Sequence, residues 1–310
     1  MPYNFIYFKY DIKFLIVNLR YRLTCKLCKA QKKNVIYFVF RPQIKHPGLA
    51  DRLKAIISLY NLSKLYGYQF KCYFKTPFDL SDYLISKFDW SLELKDLEYS
   101  IIDTRFINEV NWHKKPKLKS GKQYHCYCYS GNELPEFFPD TGYKWSQLFH
   151  EMFSFSNKIL NVCDSYNLSY GSYISVHFRF VNALERFENT FFDNYLKTEV
   201  ERNALINKCK KGIQEIINDN SNVPIVVFSD SKVFLESLND MNVLVLDINS
   251  IGHTGDNGSD DTFLKSFVDL YMMSRSKAIY RVLCPEIYQY SCYALLAARI
   301  GDIPFYDKHV

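Results

Sequence analysis

The sequence lacks any run of 18 apolar residues, so it predicts no helix that spans a membrane. Its nine cysteines are odd in number and scattered, which argues against a disulfide framework and favours a reducing compartment. Cys25 and Cys28 form a lone C-x-x-C, and a zinc site would need a second suitably spaced pair. Neither a G-x-G-x-x-G loop nor a D-x-D motif at a predicted strand end is found, so no dinucleotide fingerprint and no metal site are predicted.

What the sequence does contain is typical of a globular protein large enough for two domains. Of its 310 residues, 48% are hydrophobic and 23% are charged. The 25 Tyr and 25 Phe residues suit core packing or the stacking of sugars and bases. A net charge of +6 suits an anionic substrate or an anionic membrane surface. The charge is too mild and too scattered to indicate a nucleic-acid partner.

The first 33 residues form a segment that is rich in aromatic and basic side chains. Two interpretations remain open: an amphipathic segment lying on a membrane surface, or an N-terminal helix packed on the protein. The segment does not have the small-residue cleavage site of a signal peptide. We therefore treat residues 1–33 as a separate segment and expect peripheral membrane contact through them as one possibility.

Residues 34–168 are predicted to form a first Rossmann-like domain. A strand at 34–40, a helix from Arg52 to Tyr66 and a strand at 68–74 make a β-α-β unit, with Gly67 as the cap of the helix. The loop leads into the N-terminus of this helix, and the free backbone N–H groups at a helix N-terminus can bind an anion. A further helix is predicted over 146–168.

Residues 169–310 are predicted to form a second Rossmann-like domain, because strands and helices alternate there. The strands are expected at 173–178, 223–228, 242–247 and 278–284. The helices are expected at 191–217, 232–239, from Ser259 onward and at 292–300. Polar residues follow several of these strands, which is the layout of a nucleotide site at the carboxyl edge of a parallel sheet.

The stretch from Tyr173 to Asn182 is the centre of this pattern. An apolar strand ends in His177, Arg179 and Asn182, and strand periodicity puts the first two side chains on one face. An Arg at such a position is a candidate for binding phosphate, because its planar fork pairs with two oxygens at once. The alternative is a structural Arg paired with a carboxylate such as Glu185 or Glu188.

Four motifs, in this order, resemble a known family. They are Gly48-Leu-Ala-Asp-Arg-Leu53 followed by Thr76-Pro-Phe-Asp-Leu80, then His177-Phe-Arg-Phe-Val-Asn182, then Val227-Phe-Ser-Asp-Ser231, and finally 263–274 with Tyr290–Gly301. Together they resemble the fucosyltransferase superfamily of GT-B glycosyltransferases, which includes α-1,6-, nodulation and protein O-fucosyltransferases. The chain looks most similar to bacterial polysaccharide-type members. Ala50, where the family often has Gly, and Phe180, where α-1,6 enzymes often have a second Arg, depart from the pattern.

The resemblance implies an α/β, GT-B-like fold: two Rossmann-like domains whose parallel sheets face a cleft. It implies that Arg179 binds the β-phosphate of a GDP-sugar and that His177 and Asn182 support this site. Asp230 would contact the base or ribose, and Ser291 the diphosphate. Asp51 and Arg52 would line the cleft.

The implied function is inverting transfer of fucose from GDP-fucose, without a metal, to a glycan or lipid-linked oligosaccharide acceptor. Such an enzyme would act in cell-surface polysaccharide or lipopolysaccharide synthesis, in the cytoplasm or peripherally at the inner face of the membrane. Glu185 and Glu188 are both candidates for the base that accepts the acceptor's proton. The alternatives are a non-catalytic module that binds nucleotide-sugars or glycans, and a transferase that uses another nucleotide-sugar.

Overall fold

The computed structural model describes residues 16, 19–40, 48–107, 117–126, 142–186, 194–246 and 258–310. Internal contacts divide the chain into two compact units. Unit 1 comprises Met1–Leu80 and Ser86–Phe153, and unit 2 comprises Ser81–Ile85 and Ser154–Val310. The domain boundaries expected from the sequence, 34–168 and 169–310, stay a prediction.

Unit 1 is built on a four-stranded parallel sheet. Its strands are β1 (Val35–Val39), β2 (Gln69–Tyr73), β4 (Thr104–Ile107) and β5 (Gln123–Cys126), in the order β2-β1-β5-β4. All five residues of β1 are buried, which explains its continuous run of apolar and aromatic side chains. The expected β-α-β unit is therefore present.

The helices of unit 1 are α1 (residues 19–24), α2 (Leu49–Tyr66) and α3 (Trp145–Met152). Helix α2 ends as expected at Gly67, which has a left-handed φ of 66° and whose N–H donates to the carbonyl of Lys64. The glycine is needed here because other residues reach this conformation only at a cost.

The prediction of a single helix over 146–168 is wrong. The chain forms α3, then the strand β6 (Phe153–Phe155), then α4 (Asn157–Asp164). Strand β6 pairs with β3 (Leu84–Ser86) in a separate two-stranded sheet. Ser156 also leaves the helical path, because its N–H donates to Tyr83 O and its Oγ to Asp82 O. Long-range pairing has overridden a helical sequence pattern here.

Unit 2 is built on a five-stranded parallel sheet in the order β11-β10-β7-β8-β9. Its strands are β7 (Ile174–Phe178), β8 (Ile225–Ser229), β9 (Leu244–Val245), β10 (Ala278–Leu283) and β11 (Phe305–His309). Its further helices are α5 (Glu199–Asp219), α6 (Lys232–Glu236), α7 (Asp260–Ser274) and α8 (Tyr293–Gly301). Together the two parallel sheets confirm the predicted α/β class.

Several boundaries in unit 2 differ from the expectation. Helix α5 begins at Glu199 rather than 191, because Thr198 and Glu201 cap it reciprocally. Strand β9 is only two residues long, and β11, at the sheet edge, was not expected. The predicted start at Ser259 is confirmed, since its Oγ accepts from the N–H of Thr262.

Gly301 closes the packing between α7 and α8. A Cβ atom at this position would lie 2.0 Å from the backbone carbonyl oxygen of Ser274, at the end of α7. Only glycine lets the two helices approach this closely. The position of α8 matters because its N-terminal end follows Ser291.

Within the described ranges, no helix is both long and apolar enough to cross a membrane.

Candidate active site in unit 2

The order of strands in unit 2 creates a switch point between β7 and β10. From β7 the chain proceeds outward through β8 and β9 on one side, and through β10 and β11 on the other. Parallel α/β sheets bind ligands outside the carboxyl ends of the two strands that flank such a point. The register pairs His177 of β7 with Arg281 of β10, so both residues lie at this edge.

Arg179 follows β7 directly, and Asp230 holds it in place. Arg179 Nη1 donates to Asp230 Oδ2 at 2.6 Å, and the Asp230 carboxyl also accepts from the backbone N–H groups of Phe180 (2.7 Å) and Val181 (2.8 Å). The side chains are 18% and 8% exposed. The pair forms because Phe178 of β7 is in register with Ser229 of β8, which makes the next residues neighbours. The sequence had suggested Glu185 or Glu188 as the structural partner of Arg179, and it did not suggest Asp230.

The turn after Arg179 has a strained backbone. Val181 has a φ of +58°, a left-handed conformation that a β-branched residue adopts only at a cost of about 1–3 kcal/mol. The bond from its N–H to Asp230 stabilises this conformation. A conformation held against its own preference at the edge of the sheet is typical of a functional loop.

Asn194 and Tyr288 fix the same turn from other directions. Asn194 Nδ2 donates to the carbonyls of Phe180 (2.8 Å) and Glu286 (3.0 Å), and its Oδ1 accepts from the N–H of Asn182. The N–H of Tyr288 donates to the carbonyl of Arg179 at 3.0 Å. Asn182, a predicted site residue, is therefore buried beside Arg179 as part of this network.

His177 lies beneath the site as a neutral imidazole. Its ring is 4% exposed, it lies 5.8 Å from the ring of Tyr293, and its Nδ1 has no hydrogen-bond partner among the described residues. Burial, together with the positive charges of Arg179, Arg281 and Lys265, lowers the pKa of His177 to about 3. Burial is the larger cause, and the three cations act in the same direction because a protonated imidazole would repel them.

Two of these cations, Arg281 and Lys265, were not among the predicted site residues. Arg281 makes two bonds to the Asp307 carboxyl (2.7 and 2.8 Å), and its Nη1 donates to the carbonyl of Ser291 at 2.7 Å. Lys265 pairs with Asp269 one turn along α7, and both are buried. The sequence did carry a signal for Arg281, because a charged residue interrupts the apolar strand Ala278–Leu283.

Ser291 lies just before α8, where the geometry suits an anion. Its side chain is 7% exposed and its Oγ accepts from the N–H of Tyr293 at 3.4 Å. The first N–H groups of a helix have no partners within the helix and carry partial positive charge. The bond from Arg281 ties this helix start to the end of β10, beside His177.

Of the other predicted site residues, Glu185 has a capping role in unit 2. Glu185 Oε1 accepts from Ser231 Oγ (2.7 Å) and from the N–H of Val233 (3.2 Å), and so caps α6. Glu188 lies outside the described residues. Asp51 and Arg52 belong to unit 1, where Asp51 pairs with Lys54 at 2.6 Å and Arg52 is 1% exposed.

Metal ligands are not grouped in the described parts of the chain. No set of three His, Cys, Asp or Glu side chains is placed there to hold a metal ion. Cys25 and Cys28 are free thiols.

The architecture belongs to the class of α/β proteins with two parallel sheets, and solved structures of this class resemble it along most of its length. A mutant of Arabidopsis thaliana FUT1 in complex with GDP superimposes with a TM-score of 0.55 at 11% identity, covering 95% of this chain and 74% of that one. The α-1,6-fucosyltransferase NodZ, co-crystallised with GDP, gives 0.54 at 12%, covering 86% and 92%. NodZ from Bradyrhizobium gives 0.54 at 12%, covering 86% and 93%.

The chain therefore has a fucosyltransferase-like fold, as the motifs predicted. The identities are low, so this likeness concerns the fold alone. No protein-family model matches the sequence, and the search of curated proteins found no relative.

We expect Asp230→Asn to lower the free energy of unfolding by about 2–4 kcal/mol, because the Asp230 carboxylate is only 8% exposed and accepts from the Arg179 guanidinium and from two backbone N–H groups. Urea denaturation measures this loss. Asp307→Asn is the matched control: it breaks another Asp–Arg pair, but the carboxyl is 38% exposed, so about 0–1 kcal/mol is expected. Equal losses in the two variants would contradict the central role of Asp230.

We expect His177 to make the protein less stable in acid. The unfolded chain binds a proton at His177 near pH 6.5, whereas the folded chain binds it only near pH 3. Between these values the contribution of His177 to the unfolding free energy falls by about 1.4 kcal/mol per pH unit as the pH decreases. Urea denaturation from pH 7.5 downward should show this slope.

His177→Gln should remove the slope, while His150→Gln should retain it, because His150 is exposed. An unchanged pH profile in the His177 variant would show that the imidazole is not buried in its neutral form.

Proposed function

We propose that this protein is a glycosyltransferase that transfers fucose from GDP-fucose to a glycan acceptor, with inversion and without a metal. The observation that carries the proposal is Arg179, fixed by Asp230 at the switch point of the second sheet in a fucosyltransferase-like fold. The structural neighbours FUT1 and NodZ, with which the chain shares this fold, were solved with GDP.

The proposed donor site is the edge of the sheet between β7 and β10. Arg179 would bind the β-phosphate through its guanidinium, since this side chain follows β7 at the edge of the sheet and is 18% exposed. Ser291 and the first turn of α8 would bind the diphosphate from the other side. Both carboxylate oxygens of Asp230 accept hydrogen bonds from Arg179 and the turn that follows it. We therefore propose that Asp230 positions Arg179, in addition to the contact with the base or ribose that the resemblance suggests.

The chemistry requires stabilisation of a leaving diphosphate. As the sugar–phosphate bond breaks, negative charge accumulates on the diphosphate and positive charge on the sugar. Arg179 and the N-terminal end of α8 are already oriented, so they stabilise the leaving group without further reorganisation. Arg281 adds a second fixed positive charge, held by Asp307. These groups supply the charge that a metal ion provides in other transferases, which is why we propose a metal-independent reaction.

The acceptor and the place of action are the further parts of the proposal. A polysaccharide or lipid-linked oligosaccharide acceptor, used in cell-surface polysaccharide or lipopolysaccharide synthesis at the inner face of the membrane, follows from the bacterial polysaccharide-type resemblance. Glu185 and Glu188 are the candidates for the base. Glu185 already accepts two hydrogen bonds at the start of α6. We therefore propose Glu188 as the base.

We expect the protein to bind GDP and GDP-fucose in the presence of a chelator, and Arg179→Ala to weaken this binding by about 2–4 kcal/mol because a charge-assisted contact is lost. Isothermal titration with GDP, GDP-fucose, GDP-mannose and a UDP-sugar measures it. Arg179→Lys keeps the positive charge but loses the planar guanidinium that can pair with two oxygens. We therefore expect its affinity for GDP to lie between those of the wild type and Arg179→Ala. Lys211→Ala removes an exposed positive charge on α5 and should bind like the wild type.

Each other result of this titration identifies a different function. Binding of UDP-sugars alone would keep the transferase and discard the fucosyl donor. Binding of glycans without any nucleotide would point to the non-catalytic module. Urea denaturation of each variant separates a lost contact from a lost fold.

We expect Glu185→Gln to lower the transfer rate by less than about tenfold, because Gln still accepts the two bonds that cap α6. Glu188→Gln should lower the rate by about 10²–10⁴-fold without changing GDP affinity, as for loss of a general base. Single-turnover transfer to an acceptor glycan and GDP titration measure the two quantities. A large loss of rate in the Glu185 variant at unchanged GDP affinity would make Glu185 the base instead.

A further inference from the structure

Helix α1 is attached to unit 1 by one face. The ring of Tyr21 stacks with Tyr99 at 6.5 Å and with Phe106 at 6.1 Å between centroids. Tyr21 also packs against the core cluster that contains Val35 and Tyr37. This face therefore matches one of the two interpretations of the N-terminal segment, that of a packed helix.

The other face of α1 leaves large apolar side chains in water. Leu19 is 55% exposed, Leu23 is 77% exposed and Leu27, just after the helix, is 84% exposed. Their spacing of four residues places Leu19 and Leu23 on one side of the helix. Single exposed leucines are common, but a row of them indicates a surface with a partner.

Two isoleucines extend this row from a second segment. The N–H of Ile101 donates to the carbonyl of Lys26 at 3.1 Å, so 101–102 runs beside the end of the row. Ile101 is 56% exposed and Ile102 is 40% exposed. We call the exposed side chains of Leu19, Leu23, Leu27, Ile101 and Ile102 the apolar patch.

Basic side chains alternate with the leucines of the apolar patch along residues 16–33. Residues 16–33 contain no Asp or Glu, and their six basic side chains are all exposed: Arg20, Arg22, Lys26, Lys29, Lys32 and Lys33. Two carboxylates from another part of unit 1 accept from backbone N–H groups of this stretch. Glu98 accepts from the N–H groups of Gln31 and Lys32, and Asp103 accepts from that of Ala30.

We propose that the apolar patch docks on a membrane surface with anionic headgroups. Leucine and isoleucine side chains enter the boundary of the acyl chains, while the surrounding lysines and arginines pair with headgroups. A second copy of this chain is a poor occupant, because an isologous interface would bring two sets of six cations together. The charge pattern thus selects the lipid surface as the partner.

Flotation of the full-length protein with vesicles tests this proposal. We expect binding to vesicles of equal phosphatidylcholine and phosphatidylglycerol, weaker binding as salt is raised, and little binding to phosphatidylcholine alone. The double variant Leu23→Ser with Leu27→Ser should bind the anionic vesicles about tenfold or more weakly. Lys26→Gln with Lys29→Gln should also weaken binding, by about tenfold, and should reduce its salt dependence.

The matched control replaces two exposed apolar residues of unit 2, Val200→Ser with Val233→Ser, and should bind vesicles like the wild type. Urea denaturation and GDP titration should be unchanged in the leucine variant, since its side chains are exposed. Wild-type vesicle binding by the leucine variant would overturn the proposal. So would equal binding to neutral and anionic vesicles, or a stable dimer that the leucine substitutions dissociate.

Discussion

The carboxylate of Asp230 is the interaction on which the candidate site depends. It accepts one bond from the Arg179 guanidinium and two from consecutive backbone N–H groups. The same group therefore orients the cation and holds Val181 in a conformation that its side chain disfavours. Both effects follow from the sheet, because the register between β7 and β8 places the residues after the two strands side by side. The fold thereby places Asp230 where its hydrogen bond fixes the position of the Arg179 guanidinium.

The electrostatics of the site would allow a protein of modest net charge to bind the diphosphate of the proposed donor. Arg179, Arg281 and Lys265 are each paired with a carboxylate, so the cluster is not a bare positive patch. Its affinity for an anion would come from fixed donors at short range and from the start of α8, rather than from long-range attraction. Burial also raises the pKa of the Asp269 carboxyl, and the positive charge of Lys265 opposes this rise. His177, neutral in the folded chain, adds no repulsion between the cations.

Local patterns predicted the parts of the fold that local interactions determine. Gly67 and Ser259 mark helix ends because caps act over three or four residues, and the apolar strands β1, β7 and β8 are recognisable from their composition. The division of 145–164 into two helices and a strand could not be predicted, because β6 depends on a partner about 70 residues away. For the same reason Lys265 and Asp307 could not be predicted as site residues, because only the packing of distant segments brings them near the site. Arg179 and Asp230 were identified as site residues, but their bond depends on strand register, which no local pattern encodes.

Membrane docking through unit 1 would change what the donor site in unit 2 has to achieve. A lipid-linked acceptor is confined to the plane of the membrane, so a docked enzyme meets it at a much higher effective concentration than a free one. A few exposed leucines and isoleucines with surrounding cations give reversible binding, which lets the enzyme leave one acceptor and find another. The acceptor site itself can then be weak, because the surface supplies much of the encounter. Specificity would remain with the contacts to the donor and the acceptor sugar.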